Sequence, residues 1–324
     1  MATIYQVSEL AGVSLATVSR VMNNNVRVSE ATRNKVLQAM EQLGYSRSNS
    51  IGILVSELHG PFYGEMLTGI EAEFRAAGKH VIIAAGHSER ATEEDGIDFL
   101  RSRNCDALIL HVEAVSDQFL VDLSKKETPF VLLNRQVPAL ADRCISLDNE
   151  LGGYLATRHL LEQGHRNIAY IAGPMWKADA RDRFHGHQRA LTEYQLSADD
   201  ALFFEGDFRE TGGSKGLDAL LASSRPFSAI VCANDEMASG ALTAARELGY
   251  EVPADFSVMG FDNVNFAYYT YPKLSTINYP VSAMGQMAAR WVLKQVYQQS
   301  SIDVQQIFNP HLIPRDSVAA ATVT

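Results

Sequence analysis

Polar side chains near the N-terminus follow a tight turn between two short helical segments. Gly12, Val13 and Ser14 form the predicted turn, and Arg20 is the only long hydrogen-bond donor on the segment after it. A guanidinium can donate two hydrogen bonds to the O6 and N7 atoms of guanine, and a helix-turn-helix presents its second helix to the major groove. The spacing therefore predicts DNA contacts. A small helical cap whose polar residues face water would show the same pattern, and the residues alone leave that alternative open.

The candidate DNA contacts divide by chemistry. Leu15, Ala16 and Arg20 would point to the edges of bases. Hydroxyl and amide groups would bind phosphates and fix the position of the helix without reading sequence, and the candidates for this role are Ser14, Thr17, Ser19 and Asn23.

A second group of polar side chains follows predicted strands in the later part of the chain. Asp262 comes directly after the run 257–261, and Asn234 comes directly after the run 229–233. Ligands of open α/β sheets bind beyond the carboxyl ends of the strands, and short polar side chains there suit a pair of hydroxyl groups. Each residue also has a purely structural alternative, since Asp262 could form a turn with Asn263 and Asn234 could cap a helix.

Two more polar residues are candidates for the same ligand. Arg183 lies in an arginine-rich, helix-starting segment, and its planar guanidinium suits recognition of hydroxyls or carboxylates, although a solvated surface role is the alternative. Asp148 either caps the helix that runs toward His159 or lines the ligand site.

Short apolar runs alternate with helical stretches over most of the chain, and they predict the elements that must position these side chains. The runs occupy 51–55, 80–84, 107–111, 130–134, 167–173, 229–233 and 257–261. Continuous apolar runs of this length are typical of strands buried on both faces, and their alternation with helices indicates βαβ units in open parallel sheets. Because the chain is too long for one such sheet, we expect two similar lobes with a cleft between them.

The first part of the chain has a different pattern. Helical spacing and turn residues predict helices over 4–11 and 15–23, then a third helix capped by Ser29 and ended by Gly44. Three short helices without a strand indicate a separate small domain.

Charge also separates the two parts. The chain has 28 basic and 38 acidic side chains and a net charge of −10, which argues against nucleic acid when taken globally. Residues 1–50, however, carry five basic and three acidic side chains and are net positive. This asymmetry predicts a different partner for the N-terminal segment.

Several classes of protein are disfavoured by the sequence. No apolar stretch is long enough to cross a bilayer and no signal peptide is recognisable, so the cytoplasm is expected. Phosphate-loop, nucleophile-elbow and zinc-protease motifs are missing, and we expect neither an enzyme nor a cofactor. His185 and His187 would face different sides of a helix, so no metal site is expected. Cys105, Cys144 and Cys232 are expected to be buried thiols.

The motifs occur in the order of a known family. The N-terminal segment LAGVSLATVSRVMNN, and then GPFYGEM, LLNRQVP, ISLDN, CANDEMASGAL, VMGFDN and PRDSV, resemble the lactose/galactose-repressor family of bacterial transcription regulators. The resemblance covers nearly the whole chain, and the sequence around LLNRQVP is most similar to the galactose-repressor branch. It implies a three-helix helix-turn-helix headpiece and a two-lobed periplasmic-binding-protein-like core of parallel sheets flanked by helices.

The resemblance also implies a function. We expect a sequence-specific regulator, acting as a repressor of a sugar-utilisation operon, that binds a palindromic operator as a homodimer and releases it in response to a small sugar of the galactose, galactoside or glucoside type. Phe208 corresponds to the aromatic residue that packs on the ligand, and Phe62 and Tyr63 would cover the ligand from the other lobe. Thr3 and Tyr5 are further candidates for DNA contact.

One segment departs from the family pattern. Family members have a linker of about 15 residues that forms a hinge helix, whereas here only residues 46–50 separate a headpiece of 1–45 from a core of 51–324. Five polar residues span at most about 18 Å and cannot form a stable helix. We therefore expect no hinge helix.

Two other functions stay open at this point. A stand-alone sugar-binding protein with a vestigial headpiece would explain the shortened linker. A regulator of the same fold that responds to a purine or a phosphosugar would share every motif above.

Overall fold

The computed structural model describes residues 3–22, 28–44, 49–299 and 303–321, and all structural statements below refer to these ranges. The chain forms two compact units. The first consists of 1–59, 63–145 and 282–306, and the second of 60–62, 146–281 and 307–324.

Three short helices open the first unit, as the sequence predicts. They are α1 (Ile4–Ala11), α2 (Leu15–Met22) and α3 (Glu30–Leu43). The Thr3 and Ser29 side chains cap α1 and α3, and Gly12 and Gly44 end the same helices in the left-handed region with φ of +63° and +61°. The helices bury a small apolar core of their own around Val7, Val18, Val21, Val36 and Ala39.

Strands and helices then alternate along the rest of the chain. The first group is β1 (Ser50–Val55), α4 (Pro61–Ala76), β2 (His80–Ala85), α5 (Arg90–Ser102), β3 (Ala107–Leu110), α6 (Asp117–Leu123), β4 (Phe130–Leu133) and β5 (Cys144–Leu147). The second group is α7 (Asn149–Glu162), β6 (Ile168–Ala172), α8 (Ala178–Glu193), β7 (Phe203–Glu205), α9 (Glu210–Ala222), β8 (Ala229–Cys232), α10 (Asp235–Glu247) and β9 (Ser257–Met259). The last group is β10 (Thr276–Asn278), α11 (Val281–Tyr297), β11 (Ile307–Phe308) and β12 (His311–Ile313).

Two parallel sheets organise these elements. The larger has the order β11-β5-β4-β3-β1-β2, and the smaller has the order β7-β6-β8-β9. Most strands of these sheets are buried, because helices cover both faces of a sheet built from βαβ units. The buried strands include β1, β3, β4, β6, β8 and β9. A short antiparallel pair, β10 and β12, completes the second unit.

The predicted fold class and all seven predicted strands are confirmed, with boundaries shifted by one or two residues. The sequence reading missed β5, β7, β10, β11 and β12. These strands are two to four residues long and lack the continuous apolar run on which the prediction depended.

Two helix pairs of the second unit pack through glycines. A Cβ atom at Gly153 of α7 would overlap the backbone carbonyl of Arg183 in α8, and one at Gly186 of α8 would overlap the carbonyl of Glu150. Gly213 of α9 has the same relation to Met237 of α10. Close backbone approach therefore fixes α8, which carries Arg183, against α7.

The connection between the three helices and the first strand is short. Gly44 caps α3 and β1 begins at Ser50, so five residues join them. Positions 46–48 of the predicted linker 46–50 lie outside the described residues, and Asn49 has a φ of +50°. The expected lack of a hinge helix concerns this interval, lies largely outside the described residues and stays a prediction.

Two other expectations concern the whole chain. Cys105, Cys144 and Cys232 are buried free thiols, as predicted. Among the described helices, none combines the length and the apolar character that a membrane span requires.

Candidate functional site

The predicted recognition helix α2 has one face in the apolar core and one face outside it. Val18 and Val21 are buried, whereas Ala16 and Arg20 are exposed. The hydroxyl of Ser14 accepts a hydrogen bond from the Thr17 amide at 3.2 Å and so caps the helix. Arg20 is thus available for the base contact predicted from the sequence.

The remaining DNA-contact candidates have various environments. Thr3 forms a capping box with Gln6, and Tyr5 is exposed. Leu15 and Thr17 are half-buried. Asn23 lies outside the described residues.

Ser19 is the one described candidate of this group that is buried. Its Oγ accepts a hydrogen bond from Nε2 of Gln298 at 3.2 Å. An open cavity of about 450 Å³ adjoins this contact, and its lining includes Leu15 and Ala16 of α2 with Lys125, Lys126 and Glu127. This face of α2 therefore lies near Gln298 and residues 125–127, which belong to other parts of the first unit.

In the second unit, Arg183 is the centre of the candidate ligand site. Its side chain is only 3% exposed, although it carries a charge. Nε donates to Oδ1 of Asn149 at 2.9 Å, and Nη1 donates to the carbonyl of Ala233 at 2.6 Å. The guanidinium also lies 3.8 Å from the ring centroid of Phe261. Hydrogen bonds and a cation–π contact together hold a charge that burial would otherwise disfavour.

Asp262 lies beside this guanidinium. Its Oδ1 is 3.6 Å from Nη1 of Arg183, and burial raises the pKa of the carboxyl group well above its ordinary value, although the arginine opposes the shift. Within the described residues, Oδ1 is buried and has no hydrogen-bond partner. The backbone at Asp262 has a φ of +117°, a strained conformation of the kind that persists at functional sites.

Asn234 follows β8 and performs two structural tasks. Its Oδ1 accepts from the Met237 amide at 2.9 Å and caps α10, and its Nδ2 donates to the carbonyl of Phe208 at 2.8 Å. The helix cap considered from the sequence is therefore present. The next residue, Asp235, is buried and accepts hydrogen bonds from Thr276 and Val264, which fixes the loop that carries Asp262.

Phe208, the predicted ligand-packing aromatic residue, lies next to Arg183. Its ring centroid is 5.7 Å from Cζ of Arg183. The backbone of Phe208 has a φ of +65°, and its ring packs so closely on Gly173 that a Cβ atom there would overlap it. A glycine at 173 is therefore required for the position of the ring.

Of the two roles considered for Asp148, helix cap and ligand contact, the structure shows the helix cap. Asp148 caps α7, because its Oδ1 accepts from the Leu151 amide at 2.9 Å. The following residue, Asn149, makes the contact with Arg183.

The two aromatic candidates after β1 have different neighbours. Phe62 packs edge-on against Tyr279 with ring centroids 5.0 Å apart, and Tyr279 is 5.7 Å from the guanidinium of Arg183. Tyr63, in the first unit, packs edge-on against His111 at 5.6 Å.

His111 belongs to a polar cluster at the carboxyl ends of β1 and β3. Oγ of Ser56 lies 3.2 Å from Nδ1 of His111 and donates to Oε2 of Glu113, also at 3.2 Å. Ser88 donates to the same carboxylate oxygen. The position of these side chains at strand ends suits a hydroxylated ligand.

Comparison with known proteins agrees with this geometry. Residues 3–48 match the family model of bacterial regulatory proteins of the lacI family, and residues 157–318 match that of the periplasmic binding protein-like domain. The chain is 38% identical over 335 aligned positions to the HTH-type transcriptional regulator GalR of Salmonella typhimurium strain LT2, covering 100% of this chain and 98% of GalR. The chain belongs to the LacI family.

Solved structures of the family show the same fold. The CelR–cellobiose complex matches this LacI-family chain with a TM-score of 0.74 and 30% identity, covering 98% of this chain and 100% of CelR. The lac repressor dimer bound to operator and the anti-inducer ONPF matches with a TM-score of 0.74 and 28% identity, covering 98% and 99% of the two chains.

This LacI-family protein is therefore a DNA-binding transcriptional regulator with a ligand-responsive repressor fold, and its relatives are regulators rather than enzymes. The alignment with GalR has 335 positions against 324 residues here, so at least the difference of 11 positions has no counterpart in this chain. That number is compatible with a shortened linker.

Sequence reasoning missed several residues of the site in this LacI-family regulator. Asn149 and Phe261 contact Arg183 directly, and Ser56, His111 and Glu113 form the polar cluster of the first unit. Ser56 was detectable by its place directly after β1, whereas Asn149 follows β5, a strand that the sequence did not reveal. Phe261 was assigned to a strand, and its packing on a buried cation has no signal in the sequence.

Proposed function

We propose that this regulator represses a sugar-utilisation operon in the cytoplasm, where it binds a palindromic operator as a homodimer. Its effector is a neutral sugar of the galactose, galactoside or glucoside type. The sugar binds in the second unit beside Arg183, Asp262 and Phe208, and the DNA contacts come from α2. Each assignment combines family membership with side-chain environments in the described residues.

The carboxylate of Asp262 carries the effector proposal. Oδ1 is buried without a hydrogen-bond partner among the described residues, and a ligand hydroxyl that donates to it would satisfy that oxygen. The ring of Phe208 offers an apolar face for the C–H side of a pyranose. A phosphosugar would bring an anion next to the buried carboxylate, so a neutral ligand fits better.

Exposed tyrosines of the second unit support the homodimer. Tyr268, Tyr269 and Tyr271 lie within one short segment and are largely exposed, Tyr271 to 87%. Tyrosines are enriched at protein interfaces because one part of the side chain is apolar and the other is polar. The related lac repressor structure is a dimer, and a two-fold dimer presents two headpieces to the two halves of a palindrome.

DNA binding is tested by fluorescence anisotropy at fixed salt with the DNA upstream of the protein's own gene. Arg20→Ala should lower the preference for the operator over unrelated DNA by an amount on the order of 1–3 kcal/mol, because it removes a contact to bases. Lys35→Ala is the matched control, since it removes one exposed positive charge from α3 and should lower binding to both DNAs alike. Equal operator preference in Arg20→Ala and wild type would show that α2 does not read the bases as proposed.

Effector binding is tested by calorimetry with galactose, β-glucosides and purines. Asp262→Ala should abolish sugar binding, whereas Asp148→Ala should retain it, because Asp148 caps α7 rather than presenting an unsatisfied oxygen. Tight binding of a purine with no binding of a sugar would assign the protein to a different effector class.

The five-residue connection favours one rival, a stand-alone sugar-binding protein. That protein would bind sugar with ordinary affinity but would not bind the operator, even after insertion of about 15 residues between Gly44 and Ser50. Operator binding by the unmodified chain excludes this rival.

A further inference from the structure

An exposed tryptophan extends the proposed ligand site toward the surface of the second unit. Trp176 is 52% exposed and lies in the loop 173–177, which joins the carboxyl end of β6 to α8. The other tryptophan of the chain, Trp291, is only 5% exposed and donates a hydrogen bond to the carbonyl of Asp142. The indole of Trp176 thus lies half in water near the ligand-binding edge of the sheet, where its face can contact a bound sugar.

The loop that carries Trp176 is fixed at several points. The guanidinium of Arg181 donates to the carbonyls of Met175 and Trp176, at 3.0 and 2.5 Å. The Met175 amide donates to Oε1 of Glu205 at 2.8 Å, and the Lys177 amide donates to the carbonyl of Pro174 at 2.9 Å. The indole is therefore held on a preformed support, and a ligand would not have to order the loop before it binds.

Lys177 connects this tryptophan with the buried site. Its Nζ lies 5.4 Å from the ring centroid of Trp176 and 5.7 Å from that of Phe208. The sum of the two distances, about 11 Å, is the upper limit for the separation of the two rings. Phe208 in turn contacts Arg183. Aromatic faces and cationic donors thus follow one another from the buried guanidinium to the surface.

We propose that Trp176 and Lys177 form an outer saccharide subsite, and that the effector is a disaccharide or a longer oligosaccharide. This inference rests on the proposed function. The first sugar ring binds beside Arg183, Asp262 and Phe208. The second ring stacks on the indole of Trp176, and its hydroxyls accept hydrogen bonds from the ammonium group of Lys177.

The first experiment compares one-ring and two-ring sugars by calorimetry. The probes are galactose and glucose against lactose and cellobiose. The wild-type protein should bind at least one disaccharide about tenfold or more tightly than the corresponding monosaccharides. Trp176→Ala should lower the disaccharide affinity toward the monosaccharide value and leave monosaccharide binding unchanged, and Trp176→Phe should retain part of the preference because it keeps an aromatic face.

The second experiment uses tryptophan emission. In Trp291→Phe, Trp176 is the only tryptophan, so a disaccharide should shift its emission to shorter wavelength and a monosaccharide should leave it unchanged. Trp291→Phe should keep the wild-type affinities for both kinds of sugar, which makes it the control for loss of a tryptophan.

The outcomes separate this inference from the proposed function. Monosaccharides that bind as tightly as disaccharides to the wild type, or a Trp176→Ala variant that affects both classes equally, would overturn the outer subsite while the sugar site stands. Failure of every sugar to bind the wild type would overturn the sugar site and the subsite together.

Discussion

At the scale of single residues, the candidate site is the buried pair of Arg183 and Asp262, in which the arginine already has hydrogen-bond partners from the protein. Arg183 donates to Asn149 and to the carbonyl of Ala233, while Asp262 keeps one oxygen without a hydrogen-bond partner among the described residues. In the proposed site, binding specificity would follow from this asymmetry, because only a ligand with a correctly placed donor satisfies the carboxylate.

Effector affinity should depend on pH through Asp262. Burial raises the pKa of this carboxyl group in the free protein, and ligand hydroxyls that donate to it favour the ionised form. Binding should therefore release a proton when the pH is below the raised pKa, and affinity should rise with pH until it levels off above that pKa. Calorimetry over a pH series tests this expectation. Asp262→Asn should bind more weakly and without that pH dependence, and an unchanged dependence in the variant would contradict the assignment.

His187 should make the second unit sensitive to acid. Burial lowers the pKa of its imidazole from an ordinary value of 6.5 to about 3, while Nδ1 lies 2.8 Å from the hydroxyl of Thr157. Because the folded pKa is lower than the unfolded one, the stability is present above pH 6.5 and is lost as the pH falls toward 3.

The slope of unfolding free energy against pH measures this effect. His187 should contribute about 1.4 kcal/mol per pH unit below its unfolded pKa. Urea denaturation of wild type and His187→Gln at several pH values tests the contribution. Identical slopes for the two proteins would show that another group causes the acid sensitivity.

At the scale of elements, the site depends on helices that approach each other through glycine. Arg183 reaches the end of β8 because Gly153 of α7 lets the backbone of α8 come close, and Phe208 reaches Arg183 because Gly173 leaves space for its ring. Positive φ values at Phe208 and Asp262 then direct these two side chains to the same place.

Gly153→Ala should therefore damage both stability and ligand binding. The new methyl group would overlap the Arg183 backbone, and overpacking of this kind costs about 1–3 kcal/mol. The displacement of α8 should also weaken sugar binding in calorimetry. Gly64→Ala in α4 is the control, because no atom lies within 4 Å of the added carbon and alanine favours the helix by up to about 1 kcal/mol. Equal stability of the two variants in urea denaturation would contradict the packing argument.

The sequence predicted these elements far better than it predicted their contacts. Apolar runs revealed β1, β3, β4, β6, β8 and β9, since burial on both faces leaves a continuous pattern. They did not reveal β5, which is also buried but has only four residues, one of them Ser146. Asp262, Arg183 and Phe208 were proposed as site residues from strand ends and family order. Asn149 and Phe261 were not proposed, because their contacts with Arg183 depend on how closely α7 and α8 approach each other. The sequence of neither helix alone predicts that distance.

At the scale of the whole molecule, the DNA-contact surface and the rest of the first unit share a contact. Ser19 is a predicted phosphate ligand, yet its hydroxyl accepts a hydrogen bond from Gln298 at the end of α11. In the proposed mode of DNA binding, Ser19 would have to exchange this hydrogen bond for one to a phosphate.

Gln298→Ala should consequently strengthen operator binding. Loss of one such hydrogen bond changes the free energy by about 0.5–1.5 kcal/mol, which corresponds to an increase in operator affinity of up to about tenfold. Anisotropy titrations of wild type and variant measure this increase. Ser19→Ala is the paired variant, since it removes the same contact together with the proposed phosphate contact. Weaker operator binding by Gln298→Ala would refute a competing role for this residue.

The five residues between Gly44 and Ser50 have a consequence for the choice of target genes. In the proposed homodimer, each headpiece can move at most about 18 Å from the strand that anchors it, whereas half-sites recur about every 34–36 Å along the duplex. An added or deleted half-turn of DNA would place one half-site on the opposite face, beyond the reach of so short a connection. The regulator should therefore tolerate little variation in half-site spacing, and spacing alone should exclude many genomic sequences whose half-sites match perfectly.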